Sequence, residues 1–208
     1  MADTENAVME RWGIALVFLA GALMAQPPSE YRIVPAEGTR FALEVHKTGL
    51  MSGKKHIFVY PEYAGKLLHS AGEPEKSKVT LSIEAASAKC EDDWVKPGQL
   101  ADIEKYALED MMAAGEHPRI LFASTAVIPK GEGAFEVRGT LTIRGRAEPC
   151  VLAVSLTPDG DRLRFTGKGV VNLKDYSIKP RRALPGVIGT KNEMDVSFEL
   201  IAQPAPQP

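Results

Sequence analysis

The chain has few of the residues on which metal binding and catalysis usually depend. Its 208 residues include two cysteines and four histidines. The histidines have no paired spacing and no Cys-rich cluster accompanies them, so the sequence predicts no metal site. No Gly-x-Ser-x-Gly elbow and no general acid and base pair is present, and Ser124, Ser155 and Ser197 lie within strand patterns. We therefore expect no enzymatic activity and no cofactor.

Neither sign of charge predominates. The formal net charge is -2, and no dense block of Lys and Arg occurs. Nucleic acid is therefore not an expected partner, because its recognition requires a basic surface. Hydrophobic residues make up 44% of the chain, which is enough for one core of ordinary size.

Long apolar runs are rare, and the one that stands out lies near the N-terminus. WGIALVFLAGALMA follows Arg11 and precedes QPPSE, whose prolines do not continue a helix. We interpret residues 1–25 as a signal peptide, cleaved after Ala22 or Ala25, and expect the mature protein to be periplasmic or secreted. The alternative is an uncleaved anchor, although the run is shorter than the roughly 20 residues that span a bilayer.

Alternating strand patterns fill residues 26–203, which we expect to form one domain. Turn signals such as GEPEKS, PKGEG and TPDGD separate many of them. In GQLADIEKYALEDMMAAGEHP the apolar residues recur at spacings of three and four residues, which predicts an amphipathic helix that ends at Gly115. The pattern predicts an all-β antiparallel fold with one inserted helix, and a disordered tail at 204–208. The strand patterns cover 31–34, 40–46, 56–60, 64–69, 78–87, 119–128, 133–144, 149–156, 162–173 and 193–202.

Glycines on the apolar faces of two strands suggest a barrel. Gly139, Gly167 and Gly169 mark either bends at barrel corners or positions where volume is left free. Both interpretations fit a small barrel that its own side chains do not fill and that can hold an apolar ligand. We expect the following residues to line a tunnel: Phe41, Leu43, Val45, Leu81, Ile83, Phe122, Phe135, Val137, Gly139, Leu141, Ile143, Phe165, Gly167, Gly169 and Phe198.

Five segments occur in an order that is similar to a known family. They are FALEVHKTGLMSGKK, the helix followed by HPRILFAST, VRGTLTIRGRAEPCVLAV, VNLKDYSIKP and MDVSFEL. Together they resemble the YceI-like family, also called the polyisoprenoid-binding family, from about Tyr31 to Gln203. The resemblance implies a lipocalin-like antiparallel β-barrel of about eight strands. It also implies an exported protein that carries or sequesters a polyisoprenoid, an isoprenoid quinone or another long-chain lipid.

Two loops are longer than the family pattern, GKKHIFVYPEYAG and IGTKNE. If both flank the tunnel mouth, basic residues near them could contact a lipid headgroup or transiently contact an anionic membrane surface; a solvated loop is the other interpretation. The candidates for a headgroup contact are Lys54, Arg181 and His46. Alternation directs His46 away from the apolar side, so a structural, hydrogen-bonded histidine is its alternative role.

The alternative function is a structural or interaction module of the cell envelope. Its barrel would be filled by its own side chains, and the strand HIFVY would offer an open edge to a partner. The oligomeric state does not follow from the sequence.

The two cysteines, Cys90 and Cys150, form a disulfide or remain as thiols. An exported protein favours pairing. Alternation argues against it, because Cys150 shares a face with Leu152 and Val154, whereas Cys90 shares one with polar residues.

Overall fold

The structure, a computed structural model, describes residues 28–180 and 187–206. The predicted signal peptide and the headgroup candidate Arg181 lie outside the described residues. Within those ranges no helix has the length and hydrophobicity needed to cross a bilayer.

In the described part of the chain, eleven strands form a single sheet in which every pairing is antiparallel, so the predicted all-β architecture is confirmed. Alternation of buried and exposed residues along each strand explains the sheet, because one face leaves water while the other remains solvated. The strands are β1 Ser29–Ile33, β2 Arg40–Gly49, β3 Lys55–Val59, β4 Tyr63–His69, β5 Lys78–Glu84, β6 Lys89–Cys90, β7 Arg119–Gly131, β8 Ala134–Ile143, β9 Arg146–Asp159, β10 Arg162–Asn172 and β11 Ile188–Pro204.

The sheet closes into a barrel through β11. The first part of β11 pairs with β2, and its last residues pair with β1, where Tyr31 opposes Pro204. β4 pairs with β1 and β5, while β3 pairs with β2 and β6. Three barrel strands are thus interrupted, each consisting of two consecutive segments: β1 with β2, β3 with β4, and β5 with β6. The eleven segments therefore form eight barrel strands, which confirms the predicted barrel of about eight strands.

One helix, α1 Pro97–Tyr106, lies between β6 and β7 and continues as a π-turn over Ala107–Met111. Leu100 and Ile103 pack against the core, as the predicted apolar stripe requires. The helical segment ends before Gly115, because Ala113 already adopts a positive φ of 47°.

The barrel has two chemically different ends. The helix end contains α1, the β2–β3 hairpin tip at residues 50–54 and the segment 173–178 after β10. The open end contains the β4–β5 connection at residues 70–77 and the β7–β8 turn at Gly133. The strand formed by β3 and β4 runs from Lys55 at the helix end to His69 at the open end.

Two local expectations differ from the structure. Part of the predicted disordered tail is ordered, because Pro204 belongs to β11 and the Ala205 N–H donates to the Glu30 carbonyl over 2.9 Å. Cys90 does not share the polar face of β5, because a 3-10 turn at Ala85–Ser87 interrupts the alternation. Both cysteines are buried and unpaired.

Candidate functional site

The interior of the barrel contains an apolar cavity of about 160 Å³. Its wall is formed by the inward faces of nearly every barrel strand. Alternation in the sequence therefore creates the cavity directly, because each strand contributes every second side chain to it. Most of the predicted tunnel residues lie in this wall: Phe41, Leu43, Leu81, Ile83, Phe122, Phe135, Val137, Leu141, Ile143, Phe165 and Phe198.

Val45 lies elsewhere in the core. Its side chain is buried, and it lies opposite Met194 and His56 at the helix end of the barrel. It does not line the cavity.

The three glycines are not part of the cavity wall, because neighbouring side chains cover them. A Cβ built on Gly167 would lie 2.2 Å from Cζ of Phe198, and one on Gly169 would lie 2.6 Å from Cδ2 of Leu152. At Gly139 the Phe122 ring and the Ala123 carbonyl oxygen would both lie 2.5 Å away. The space beside these glycines is thus occupied by other side chains of the protein. Neither of the two interpretations, a bend or free volume, predicted this arrangement.

Phe198 and two other aromatic residues form a row along the cavity wall. Phe198 stacks on Phe41 with ring centroids 6.1 Å apart, and Phe41 meets Tyr60 edge to face at the same separation. Burial raises the pKa of Tyr60 to about 12, so its phenol is neutral at physiological pH. The row therefore contributes an uncharged surface, as an apolar ligand requires.

The cavity is long and narrow. Phe135 and Ile143 both line it from β8. These residues are eight positions apart, about 26 Å along a strand, or about 20 Å along the axis of a barrel with tilted strands. A volume of about 160 Å³ spread over that length makes the cavity narrow. Such a volume resembles apolar cavities of about 150 Å³ that hold one benzene, so the wall must widen to accept a whole lipid chain.

The polar residues of the wall are concentrated at the open end. His69, Ser77 and Lys78 line the cavity there, and Lys78 is exposed to solvent. At the helix end the wall is closed by buried residues, among them Met112, which is 8% exposed, and Ile178, which is 2% exposed. The cavity therefore communicates with solvent through the open end.

Among the three polar wall residues, the charge is carried by lysine and not by histidine. Burial lowers the pKa of His69 below its usual value, so its imidazole is neutral at pH 7. The Ser77 hydroxyl oxygen accepts a hydrogen bond from the Ser70 N–H over 3.0 Å, which fixes the connection around the opening.

The described headgroup candidates lie away from this opening. His46 hydrogen-bonds through Nε2 to Oδ2 of Asp195 over 2.8 Å, and Lys54 lies 5.6 Å from the centroid of the Trp94 ring. Both are at the helix end, and neither lines the cavity. The headgroup contact required both long loops to flank the mouth, whereas strand direction places the β2–β3 hairpin at the opposite end.

Sequence reasoning missed part of the wall. Ile120 and Leu200 could have been found, since each shares a strand face with a residue that was named. Ile33 and Leu67 lie on strands for which no wall residue was predicted. His69 and Lys78 lie on either side of the turn signal GEPEKS, Ser77 ends it, and only the topology shows that this turn surrounds the opening.

Ser124 is hydrogen-bonded, and the thiols of Cys90 and Cys150 are protonated. The Ser124 hydroxyl oxygen accepts a hydrogen bond from the Val79 N–H over 2.9 Å. Burial raises the pKa of both thiols, to about 12 at Cys90, so neither is a thiolate at neutral pH.

A family model for the YceI-like domain matches residues 31–202. The chain belongs to the YceI-like family. The predicted membership is thereby confirmed, and the matched range covers nearly the whole barrel from β1 to β11.

Relatives of the chain include bacterial proteins described as UPF0312 proteins. One from Pseudomonas savastanoi pv. phaseolicola is 28% identical over 147 residues, which cover 67% of this chain and 70% of the relative. One from Shewanella oneidensis is 25% identical over 165 residues, covering 76% of this chain and 81% of the relative.

Solved structures share the fold at low sequence identity. BcnA of Burkholderia cenocepacia superposes with a TM-score of 0.62 at 18% identity, covering 78% of this chain and 96% of that one. A polyisoprenoid binding domain from Saccharophagus degradans, implicated in plant cell wall breakdown, gives 0.58 at 11% identity, covering 84% and 98%. At such identities the likeness establishes the fold alone.

Proposed function

We propose that this protein binds one long-chain lipid, a polyisoprenoid or an isoprenoid quinone, inside the barrel and carries or sequesters it outside the cytoplasm. The observation that carries the proposal is the apolar cavity whose most hydrophilic wall residues, His69, Ser77 and Lys78, lie at one end. The polyisoprenoid binding domain among the structural neighbours supports the same ligand class.

Apolar burial supplies the driving force for this binding. Each methylene that enters the cavity gains about 0.8 kcal/mol, so affinity rises about fourfold per methylene until the cavity is full. Directional contacts are not needed for the chain. A chain of repeating apolar units therefore suits the wall better than a ligand with scattered polar groups.

The width of the cavity determines how the ligand enters. Once the wall widens, a slender chain can lie between the aromatic row and the opposite wall, whereas a quinone or phosphate headgroup is too broad or too polar for the interior. The headgroup therefore remains at the open end, beside His69, Ser77 and Lys78. A neutral imidazole and a hydroxyl can hydrogen-bond a quinone carbonyl, and the ammonium can pair with a phosphate.

Export and the absence of catalysis belong to the same proposal. The N-terminal signal pattern supports a periplasmic or secreted location. The hydrogen-bonded Ser124 and the protonated, buried thiols support binding without chemistry.

Two neighbouring residues on β9 provide a matched test. Leu152 lines the cavity, whereas Val151 is 52% exposed on the outer face. Leu152→Trp places an indole in the cavity and Val151→Trp places one outside it. Both are titrated with polyprenols of increasing length, with intrinsic fluorescence as the readout.

We expect Leu152→Trp to weaken binding of long polyprenols more than that of short ones, and Val151→Trp to bind like the parent. Equal binding by both variants at every length would show that the chain does not occupy the cavity.

The interaction-module alternative has less support. The edge of β3 is covered, because the Ile57 N–H donates to Oδ1 of Asp92 over 2.8 Å and the Glu91 N–H donates to the Ile57 carbonyl over 2.9 Å. The Trp94 Nε1–H donates to the Lys55 carbonyl over 2.9 Å. These bonds occupy the backbone groups that an added strand from a partner would need.

A further inference from the structure

Three side chains with metal-ligating atoms meet at the helix end of the barrel. His56 belongs to β3, Cys90 ends β6, and Asp92 follows two residues later. One ligating atom of each lies within 4.8 Å of those of the other two. Local sequence spacing does not reveal this cluster, because β6 pairs with β3 only after the chain has traversed β4 and β5.

The cluster is shielded from solvent but reachable. The Asp92 side chain is 0% exposed and that of His56 is 13% exposed. Cys90 is buried at 8% exposure. A buried carboxylate requires a compensating positive charge, and its direct partner is Nδ1 of His56, 2.5 Å from Oδ2. The partly exposed His56 side chain is the place where the cluster meets solvent.

Neighbouring groups hold each of the three ligands in place. Asp92 accepts the Ile57 N–H through its other oxygen over 2.8 Å. The Trp94 indole stacks on His56 with ring centroids 5.3 Å apart. The Cys90 backbone N–H donates to Oε1 of Glu104 in α1 over 2.8 Å. Such surrounding contacts orient ligands for a metal and reduce the entropy that binding costs.

One nitrogen, one sulfur and one oxygen donor select a borderline divalent cation. Zinc accepts all three donor types, whereas magnesium and calcium require oxygen ligands. Nδ1 of His56 and Oδ2 of Asp92 lie closer to each other than two atoms that bind the same zinc ion. A bound cation would therefore move these two atoms apart.

We propose that His56, Cys90 and Asp92 form a structural site for a Zn²⁺-like divalent cation. The cation takes the place of the proton between Nδ1 of His56 and Oδ2 of Asp92. It bonds to Nδ1, Sγ and a carboxylate oxygen, and solvent or another donor completes its coordination. The displaced proton and the thiol proton of Cys90 pass to solvent. The site joins β3 and β6 where α1 closes the barrel.

The proposal is independent of lipid binding, because none of the three residues lines the cavity. The full chain, stripped with a chelator, is titrated with Co²⁺. We expect one equivalent to bind with a thiolate-to-cobalt charge-transfer band, and Zn²⁺ to remove that band by displacement. Zn²⁺ should also raise the melting temperature of the parent protein, whereas Mg²⁺ should not.

The two buried cysteines give a matched pair of variants. Cys90→Ser should abolish the band and weaken Co²⁺ binding by more than about 100-fold, beyond the loss typical of residues around the ligands. Asp92→Asn should weaken binding while a weaker band remains. Cys150→Ser should behave like the parent, because Cys150 is a buried thiol outside the cluster.

Absence of a charge-transfer band in the folded parent would overturn the proposal, as would a band that persists in Cys90→Ser or disappears in Cys150→Ser. If Cys90→Ser does not fold, the parent titration and the contrast between Zn²⁺ and Mg²⁺ in melting still decide the question.

Discussion

The Phe198 ring over Gly167 can be displaced by a single methyl group. In Gly167→Ala the new Cβ would lie 2.2 Å from Cζ of Phe198, more than 1 Å closer than the 3.4 Å at which ordinary van der Waals contact begins. The ring is the free end of a side chain, so it can rotate away. Phe41 is stacked against it, and Phe198 lines the cavity, so rotation narrows the tunnel.

Whether Gly167→Ala lowers stability or lipid affinity, and by how much, depends on how the strain is relieved. Overpacking of this kind costs about 1 to 3 kcal/mol. If the ring remains in place, the cost lowers the melting temperature by about 2 to 12 °C for a domain of this size. If the ring rotates into the cavity, a lipid must push it back, and long-chain affinity falls by about 5- to 150-fold.

The assay combines thermal melts with titration of polyprenols of graded length. Lys168→Ala, on the exposed outer face of the same strand, is the control. Adding Phe198→Leu to Gly167→Ala removes the ring and should recover part of whichever property was lost. A Gly167→Ala protein that melts like the parent and binds every chain length equally would refute the assignment of the Phe198 ring to the tunnel wall.

Three further predictions concern other parts of the molecule. Ellman's reagent should find no rapidly reacting thiol in the native chelator-treated protein and two per chain after unfolding without reductant, since Cys90 and Cys150 are buried and unpaired; no thiol after unfolding would indicate a disulfide. The folded state of His69 disfavours the charged imidazole, so stability should fall as pH drops through the ordinary pKa of 6.5, and His69→Gln should reduce this loss in pH-dependent melts; an unchanged slope would contradict the burial of His69. The exported protein should begin near Leu23 or Gln26 by N-terminal sequencing, and retention of residues 12–25 in a membrane fraction would favour the uncleaved anchor.

The strands and their inward faces follow from the sequence because alternation is a local property. Phe135, Val137, Leu141 and Ile143 could be assigned to one face of β8 from their spacing alone, and the structure places all four in the cavity wall. The helix followed from its apolar spacing in the same way. The end of the helical segment could not be predicted in this way, because a π-turn precedes Ala113, whose left-handed backbone ends the segment before Gly115.

Contacts between distant residues could not be predicted in this way. The Phe198 ring covers Gly167 because β10 and β11 place the two residues opposite each other. Which loops surround the open end depends on the direction in which each strand crosses the barrel. The length of the loop that contains Lys54 therefore does not show at which end the loop lies. His56 and Cys90 meet because β3 and β6 pair, a relation between short segments that local spacing does not record.

Native mass spectrometry of the mature protein, purified without detergent from a host that contains membranes, tests lipid binding most directly. Our account predicts one long-chain lipid per chain, released by organic extraction and replaced by an added polyprenol or isoprenoid quinone. It also predicts reduced occupancy in Leu152→Trp and parental occupancy in Val151→Trp. Protein that carries no lipid and takes up no long-chain lipid or quinone on titration would contradict it.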